Sequence, residues 1–184
     1  MTFKNQEEYI SFLRNRKVSI EEKIRWHDKY LKDALGKDCN IIKPRMPLKD
    51  NAKYEEWKKV FEKNKIDENS VLIGHSSGGG FLVRWLGETK KKIKKLILVA
   101  PAIIHSGTYE PLMDLLDFRI NKDIKDNVEE IIIFASKDDM KGILEFVKIY
   151  SEALDVKPKW FEDKGHFTLG DMKTKEFPEL LNEI

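Results

Sequence analysis

The stretch from Ser70 to Gly80, SVLIGHSSGGG, places the strongest constraint on how this chain folds. A short apolar run leads into Gly-x-Ser-x-Gly, and residues with helical spacing follow from Phe81. Strand, sharp turn and helix in this order are typical of a nucleophile elbow, which holds a serine hydroxyl exposed above a sheet. The pattern predicts that Ser76 is a nucleophile and that the backbone amide of Ser77, which opens the helix, faces a developing oxyanion.

The glycines of this stretch allow more than one interpretation. In an elbow, Gly74 and Gly78 are expected at the two points where a side chain would crowd the turn. Glycines after a strand also hold phosphates at helix N-termini, although the Gly-Lys-Ser/Thr of a phosphate loop is absent here. A nucleotide-binding α/β domain that uses the run Gly78-Gly79-Gly80 is therefore kept as a third hypothesis.

The composition indicates one packed domain that does not bind nucleic acid. The chain has 184 residues, of which 41% are hydrophobic, and this is enough for a single core. Its 34 basic and 32 acidic side chains nearly balance, so the net charge of +2 argues against nucleic acid as a partner. The dense basic run at 90–95 is predicted to be a solvated connector.

Several observations bear on compartment, membrane and metal. A single cysteine, Cys39, excludes an intramolecular disulfide and fits a reducing compartment. No apolar run approaches the roughly 18 residues that span a bilayer, and the N-terminus lacks the apolar core of a signal peptide. The four histidines show no metal-ligand spacing. We therefore expect a cytoplasmic, soluble protein that binds no membrane and uses no cofactor.

Hydrophobic periodicity predicts helices that alternate with strands. Helices are expected over 3–15, 19–35, 54–61 and 141–154. Strands are expected over 39–43, 71–73, 96–101, 130–135 and 159–161, and a charged tail ends the chain. This alternation indicates an α/β fold, a three-layer α/β/α sandwich with a mostly parallel sheet of about five strands. We expect one domain over 1–184, with an atypical helical segment at about 1–25.

Three predicted strand ends carry residues that suit acyl-transfer chemistry. Ser76 follows one strand, Asp138-Asp139 follows another, and His166 follows a third. Reactive residues gather past the carboxyl ends of strands in open parallel sheets. The order Ser, Asp, His along the chain is that of α/β-hydrolases. Taken alone, the aspartates fit an ordinary solvated turn, and His166 fits an ordinary loop residue. The prediction therefore depends on all three signals occurring after strands and in this order.

The three side chains have complementary roles in this hypothesis. A serine hydroxyl is a weak nucleophile until a base such as His166 takes its proton, and a carboxylate then orients and stabilises the imidazolium. Among the other histidines, His75 is expected to point away from the nucleophile and His27 to lie on a helix face, while His105 is a candidate pocket residue. The apolar cluster of Leu112, Leu115, Leu116 and Phe118 is expected to cover part of the site.

These motifs together resemble a known family. The elbow at 73–80, the strand ending Leu98-Val99-Ala100-Pro101, the loop Ser136-Lys137-Asp138-Asp139 and the segment Lys164-Gly165-His166-Phe167 are similar to the small α/β-hydrolases grouped with retinoblastoma-binding protein 9 and bacterial YdeN. The resemblance covers about 26–170. It implies serine-hydrolase chemistry on a small carboxylic ester or acyl substrate. It favours Asp139 as the triad acid, but Met140 stands where relatives often have proline, so Asp138 stays an alternative.

One departure from that family bears on activity. Relatives open with an apolar strand ending in His-Gly, whose loop supplies a second oxyanion-hole amide, whereas residues 1–25 here contain no glycine and no such strand. Losing one oxyanion donor typically costs about 10²–10³-fold in rate. The alternative function is therefore a catalytically weak or inactive hydrolase-fold protein with a binding role. The missing strand also implies an exposed sheet edge, which makes a homodimer one of the expected assemblies.

Overall fold

The computed structural model describes residues 29–36, 39–47, 52–104 and 114–184. Within these residues two helices precede the first strand, α1 (Tyr30–Leu35) and α2 (Tyr54–Phe61). Strands and helices then alternate in the order β1 (Val71–His75), α3 (Ser77–Thr89), β2 (Ile93–Val99), a 3₁₀ helix (Lys122–Asp126), β3 (Val128–Ser136), α4 (Lys141–Leu154) and β4 (Lys159–Phe161). Two short helices follow, α5 (Leu169–Met172) and α6 (Pro178–Leu181).

The four strands that the structure describes form one parallel sheet in the order β1-β2-β3-β4. Leu72 pairs with Leu96 and Ile97 with Ile132, so the apolar centres of the first three strands lie side by side. The predicted α/β fold with a parallel sheet is confirmed. The strand predicted at 39–43 is wrong, because this segment forms no ladder with a described residue and leaves Ile42 48% exposed.

The core lies on both faces of β2 and β3. The four residues Leu96–Val99 are fully buried although successive side chains of a strand point to opposite faces. Both faces of the sheet are therefore covered, which is the reason these strands read as continuous apolar runs in the sequence. The predicted basic connector ends sooner than expected, because Lys94 and Lys95 already belong to β2.

The helices form where the apolar spacing predicted them. α2 buries Tyr54, Trp57 and Phe61 and packs this face on Phe81 of α3, whose ring lies 5.2–5.8 Å from theirs. α4 covers 141–154 as predicted. α1 ends at Leu35 as predicted, and the helices expected before Lys29 lie outside the described residues.

Three helices end at a residue in the left-handed conformation that is not glycine. Lys90 after α3 has φ 52°, Asp155 after α4 has φ 54° and Lys173 after α5 has φ 56°. This conformation satisfies the last carbonyls of a helix, but it is strained for a residue with a Cβ atom. In each case the cap N–H donates to a carbonyl four residues earlier, so the helix closes normally.

The C-terminal segment is part of the core rather than only a charged tail. Phe177 and Leu180 are fully buried, and the Phe177 ring stacks on Phe167 with 5.4 Å between centroids. These contacts hold the loop after β4 against the sheet. Within the described residues, no helix combines the length and apolarity needed to cross a membrane.

Candidate active site

Ser76 occupies a strained turn between β1 and α3. Its backbone has φ 53° and ψ −121°, a combination that L-residues rarely adopt. Main-chain hydrogen bonds hold it there, because Ser76 N donates to Val99 O at 2.9 Å and Ser76 O accepts from Ala102 N at 3.1 Å. The turn therefore presents the Ser76 side chain at the carboxyl end of the sheet, where the elbow motif predicted it.

The glycines around the turn have different roles from those expected. A Cβ on Gly74 would lie 2.6 Å from backbone atoms of Gly79, so this position does require glycine. A Cβ on Gly78 would meet nothing within 4 Å, so the predicted crowding there is wrong. The second crowded position is Gly80, where a Cβ would lie 2.3 Å from Ala102 O. The glycine run thus brings α3 close to the loop after β2.

The structure brings Ser76, His166 and Asp139 together. His166 Nε2 lies 3.0 Å from Ser76 Oγ, and His166 Nδ1 lies 3.0 Å from Asp139 Oδ2. The Asp139 side chain is 1% exposed, and its other oxygen accepts from Met140 N. With Nδ1–H donating to this carboxylate, Nε2 carries the lone pair that accepts from the serine hydroxyl. Residues 90 positions apart thus form a continuous hydrogen-bonded line.

Asp138 faces away from the His166 ring. Its Oδ1 accepts from Ser136 Oγ at 2.5 Å and from Gly165 N at 2.9 Å, and Ser136 Oγ also accepts from Lys164 N. Partial burial alone would raise the pKa of Asp138, but the hydrogen bonds from Ser136 and Gly165 hold the pKa below its usual value. The two adjacent aspartates therefore contact different parts of one loop: Asp139 the ring of His166, and Asp138 the backbone before it.

The loop that carries His166 is held from two further directions. His75 Nε2 donates to His166 O at 2.7 Å, which ties the end of β1 to this loop. His166 N donates to Asp171 Oδ2 at 3.1 Å, and Asp171 also forms a capping box with Thr168 at the start of α5. Gly165 has φ 49° and a Cβ there would lie 2.7 Å from Asp171, so only glycine fits.

Sequence reasoning missed the contacts of His75, Ser136 and Asp171. The His75 ring contacts the His166 backbone carbonyl, and its centroid lies 5.0 Å from that of the His166 ring. The signal available in the sequence for Asp171 was Thr168 three residues earlier, which is the pattern of a capping box. His27, His105 and Leu112 lie outside the described residues.

Ser77 is the first residue of α3. The first N–H groups of an α-helix have no acceptor within the helix, so the Ser77 amide is available beside Ser76 at the positive end of the helix dipole. Leu115 and Leu116, from the cluster expected to cover the site, are buried, and Leu115 lines the cavity next to Ser76. No three His, Cys, Asp or Glu residues in the described part of the chain form a group that could hold a metal ion.

The cavity at this site has a volume of about 1340 Å³. Its lining includes Ser76, His166 and Asp139 together with all five residues of β1. The segment 39–46 lines it as well, together with Leu31 and Leu35 of α1. Ser76 therefore borders a large cavity.

The comparison with known proteins agrees with this structure. It fits the elbow, the line of hydrogen bonds behind it and the parallel sheet. A serine hydrolase family model matches residues 21–182, which is most of the chain. The chain belongs to the serine hydrolase family. No curated protein sequence matches this serine hydrolase.

Two solved structures share the fold of this serine hydrolase. The ydeN gene product from B. subtilis aligns with a TM-score of 0.65 at 21% identity, over 84% of this chain and 86% of that chain. A YdeN-like hydrolase from Pectobacterium atrosepticum aligns with a TM-score of 0.60 at 18% identity, over 87% of this chain and 80% of that chain. At these identities the likeness shows the fold, and it confirms the resemblance to YdeN.

Proposed function

We propose that this serine hydrolase cleaves small carboxylic esters with Ser76 as nucleophile, His166 as general base and Asp139 as the carboxylate that orients His166. The observation that carries the proposal is the pair of 3.0 Å distances from the His166 ring to Ser76 Oγ and to Asp139 Oδ2. Both distances are within hydrogen-bond reach. In acyl transfer the base must contact the nucleophile on one side and the orienting carboxylate on the other, and the His166 ring does both.

The reaction begins when Ser76 Oγ attacks the ester carbonyl carbon and His166 Nε2 takes the hydroxyl proton. The carbonyl oxygen becomes an oxyanion that accepts from the Ser77 N–H. When the tetrahedral intermediate collapses, the carbon–oxygen bond of the ester breaks, and the leaving alkoxide receives the proton from His166. Water then attacks the acyl-serine with His166 again as base, which releases the carboxylic acid and restores the Ser76 hydroxyl.

The role of Asp139 follows from its burial and its contact. A buried carboxylate next to Nδ1 fixes the tautomer in which Nε2 is free to accept, and it stabilises the imidazolium after proton transfer. Asp138 is then a positioning residue, since it contacts Ser136 and the Gly165 backbone rather than the reacting groups.

A fluorophosphonate probe tests this proposal directly. The probe is expected to form one covalent adduct, detected by intact mass, and Ser76→Ala is expected to abolish it. Ser151→Ala, in α4 and away from the cavity, is the matched control and should label like the unmodified chain. Failure of the unmodified protein to label, or labelling that survives in Ser76→Ala, would contradict the assignment.

The alternative function is binding without efficient turnover. The first glycine of the chain is Gly36, so residues 1–25 lack the His-Gly loop that supplies a second oxyanion-hole donor in relatives, and this favours the alternative as a second candidate. Turnover of p-nitrophenyl acetate separates the two. Hydrolysis that disappears in both Ser76→Ala and His166→Ala supports the enzyme, while the absence of hydrolysis in a folded protein supports a binding role.

A further inference from the structure

Tyr150 is a buried polar residue that the proposed reaction does not use. It lies on α4 and is fully buried, and its hydroxyl donates to Ala102 O at 3.0 Å. Burial raises the pKa of this hydroxyl well above its ordinary value of 10.0, so the hydroxyl keeps its proton and acts as a donor. Neither Tyr150 nor Ala102 lines the cavity beside Ser76, so this hydrogen bond has no direct part in binding a substrate.

Ala102 links Tyr150 to the nucleophile of the proposed function. Its carbonyl accepts from Tyr150, and its amide donates to Ser76 O at 3.1 Å. Ser76 O also accepts from Gly79 N and Gly80 N at the start of α3, so Ala102 supplies a donor from outside that helix. Two hydrogen bonds therefore connect α4 to the strained turn, with a single residue between them.

The loop after β2 that contains Ala102 is itself strained. Ala100, its first residue, has φ 44°, which is in the left-handed region, and it is fully buried. A residue with a Cβ atom stays in this conformation only where neighbouring groups hold it. Ala100 N donates to Phe134 O at 2.9 Å, which fixes the start of the loop to β3. The hydrogen bond from Tyr150 fixes the loop at the residue that contacts Ser76.

Helix α3 packs against the carbonyl that Tyr150 holds. A Cβ at Gly80 would lie 2.3 Å from Ala102 O and 3.4 Å from the Tyr150 hydroxyl oxygen. The first residue of α3 is Ser77, whose amide is the proposed oxyanion donor. A displacement of Ala102 would therefore reach the start of this helix as well as the backbone of Ser76.

We propose that Tyr150 is a positioning residue for the Ser76 turn: its hydroxyl holds the loop 100–102 where the Ala102 amide fixes the strained backbone of Ser76. Its effect on catalysis rests on the proposed function, because it acts on the reaction only through Ser76. Ser76 Oγ lies 3.0 Å from His166 Nε2, and proton transfer tolerates only small departures from such a geometry. Loosening the turn is expected to slow acylation and leave substrate binding unchanged.

Tyr150→Phe removes the hydroxyl and keeps the ring, so it tests the proposal with little change in packing. The acylation rate constant, read from the burst of p-nitrophenol at saturating p-nitrophenyl acetate, is expected to fall about tenfold. The ester concentration that gives half of this rate should stay the same. The rate constant of fluorophosphonate labelling, followed by intact mass, should fall by a similar factor. A purely structural role would lower Tm and leave both rate constants of the folded protein unchanged.

Tyr54→Phe is the matched control. Tyr54 is 1% exposed, donates its hydroxyl to Glu88 Oε2 at 2.6 Å and does not line the cavity. Loss of this hydroxyl is expected to lower Tm without changing the acylation rate constant. Equal losses of acylation rate in both variants, or no loss in Tyr150→Phe, would contradict the proposal.

Hydrogen exchange of the Ala102 amide, detected by NMR, tests the same contact without any turnover. This amide is expected to exchange at least about tenfold faster in Tyr150→Phe than in the unmodified protein or in Tyr54→Phe. The Lys137 amide, which donates to Phe161 O, is the internal control and should exchange at an unchanged rate. Unchanged exchange at Ala102, or an equal increase at both amides, would overturn the proposal.

The two kinds of measurement separate this proposal from the proposed function. An unmodified protein that does not react with the fluorophosphonate refutes the function, and the Ala102 amide then still decides whether Tyr150 holds the turn. If Tyr150→Phe does not fold, Lys90→Gly and Asp155→Gly relieve two left-handed helix ends and supply a more stable background. The same losses are expected in that background, and a full acylation rate there would overturn the proposal.

Discussion

On one side of Ser76, four hydrogen bonds tie the loop that carries His166 to Ser136, Asp138, Asp171 and His75. On the other side, β1 lines a cavity of about 1340 Å³. The side proposed to perform proton transfer is thus held by several hydrogen bonds, whereas the side proposed to receive the substrate borders this cavity. This division suits a hydrolase, since proton transfer tolerates little misplacement and binding requires free surface.

The largest effect should come from the rigid side. His166→Ala removes the group 3.0 Å from Ser76 Oγ, so kcat/KM for p-nitrophenyl acetate is expected to fall by about 10⁴-fold or more. Steady-state kinetics measure this, and circular dichroism verifies that the variant is folded. A folded variant with near-normal activity would show that the assembled residues do not perform the reaction.

The adjacent aspartates give a matched pair with the next largest effect. Asp139→Asn disturbs the tautomer of His166 and is expected to lower kcat by about 10³–10⁴-fold. Asp138→Asn keeps an oxygen that can accept from Gly165 N, so a loss of about tenfold is expected. The ratio of the two kcat values is the measurement. A larger loss from Asp138→Asn would reverse the assignment of the triad acid.

A smaller effect is expected where the two sides meet, at His75. His75→Leu removes the donor to His166 O and is expected to lower kcat about tenfold, because the His166 ring is then misplaced relative to Ser76. His75→Gln offers an N–H again and should recover part of kcat. If Leu and Gln variants are equally active, His75 does not position the loop.

Acid stability tests the hydrogen bonds of Asp138. The pKa of this carboxyl in the folded protein is below its ordinary value of 3.8, so its contribution to stability is present above about pH 4 and is lost as pH falls further. At pH 7, Asp138→Asn is expected to lower Tm by about 2–4 °C. This difference from the unmodified protein should shrink below pH 4. A difference that is constant with pH would show that the charge of Asp138 contributes nothing.

Local patterns in the sequence were sufficient for most of the fold. The apolar spacing of 54–61 and 141–154 predicted α2 and α4, because a helix that covers a sheet must repeat its buried residues at this period. The continuous apolar runs predicted β2 and β3. The segment 39–43 has the same appearance, but a strand also needs a neighbour, and local sequence does not show whether one is present.

The arrangement of the site was only partly predictable. The order of Ser76, Asp139 and His166 along the chain pointed to three residues that the structure indeed places in contact. The difference between Asp138 and Asp139 arises from the turn between β3 and α4, which sends neighbouring side chains in different directions. The hydrogen bond from His75 to His166 O joins residues 91 positions apart, and the hydrophobic periodicity of a sequence does not predict such a contact.

Three helices end at a residue in the left-handed conformation, at Lys90, Asp155 and Lys173, and these positions offer a way to raise the stability of the protein. Glycine adopts this conformation without a Cβ penalty, so each replacement is expected to raise the free energy of unfolding by about 1 kcal/mol. All three positions are exposed and end three different helices, so the gains are expected to add nearly. Such a background would tolerate site substitutions that unfold the original chain.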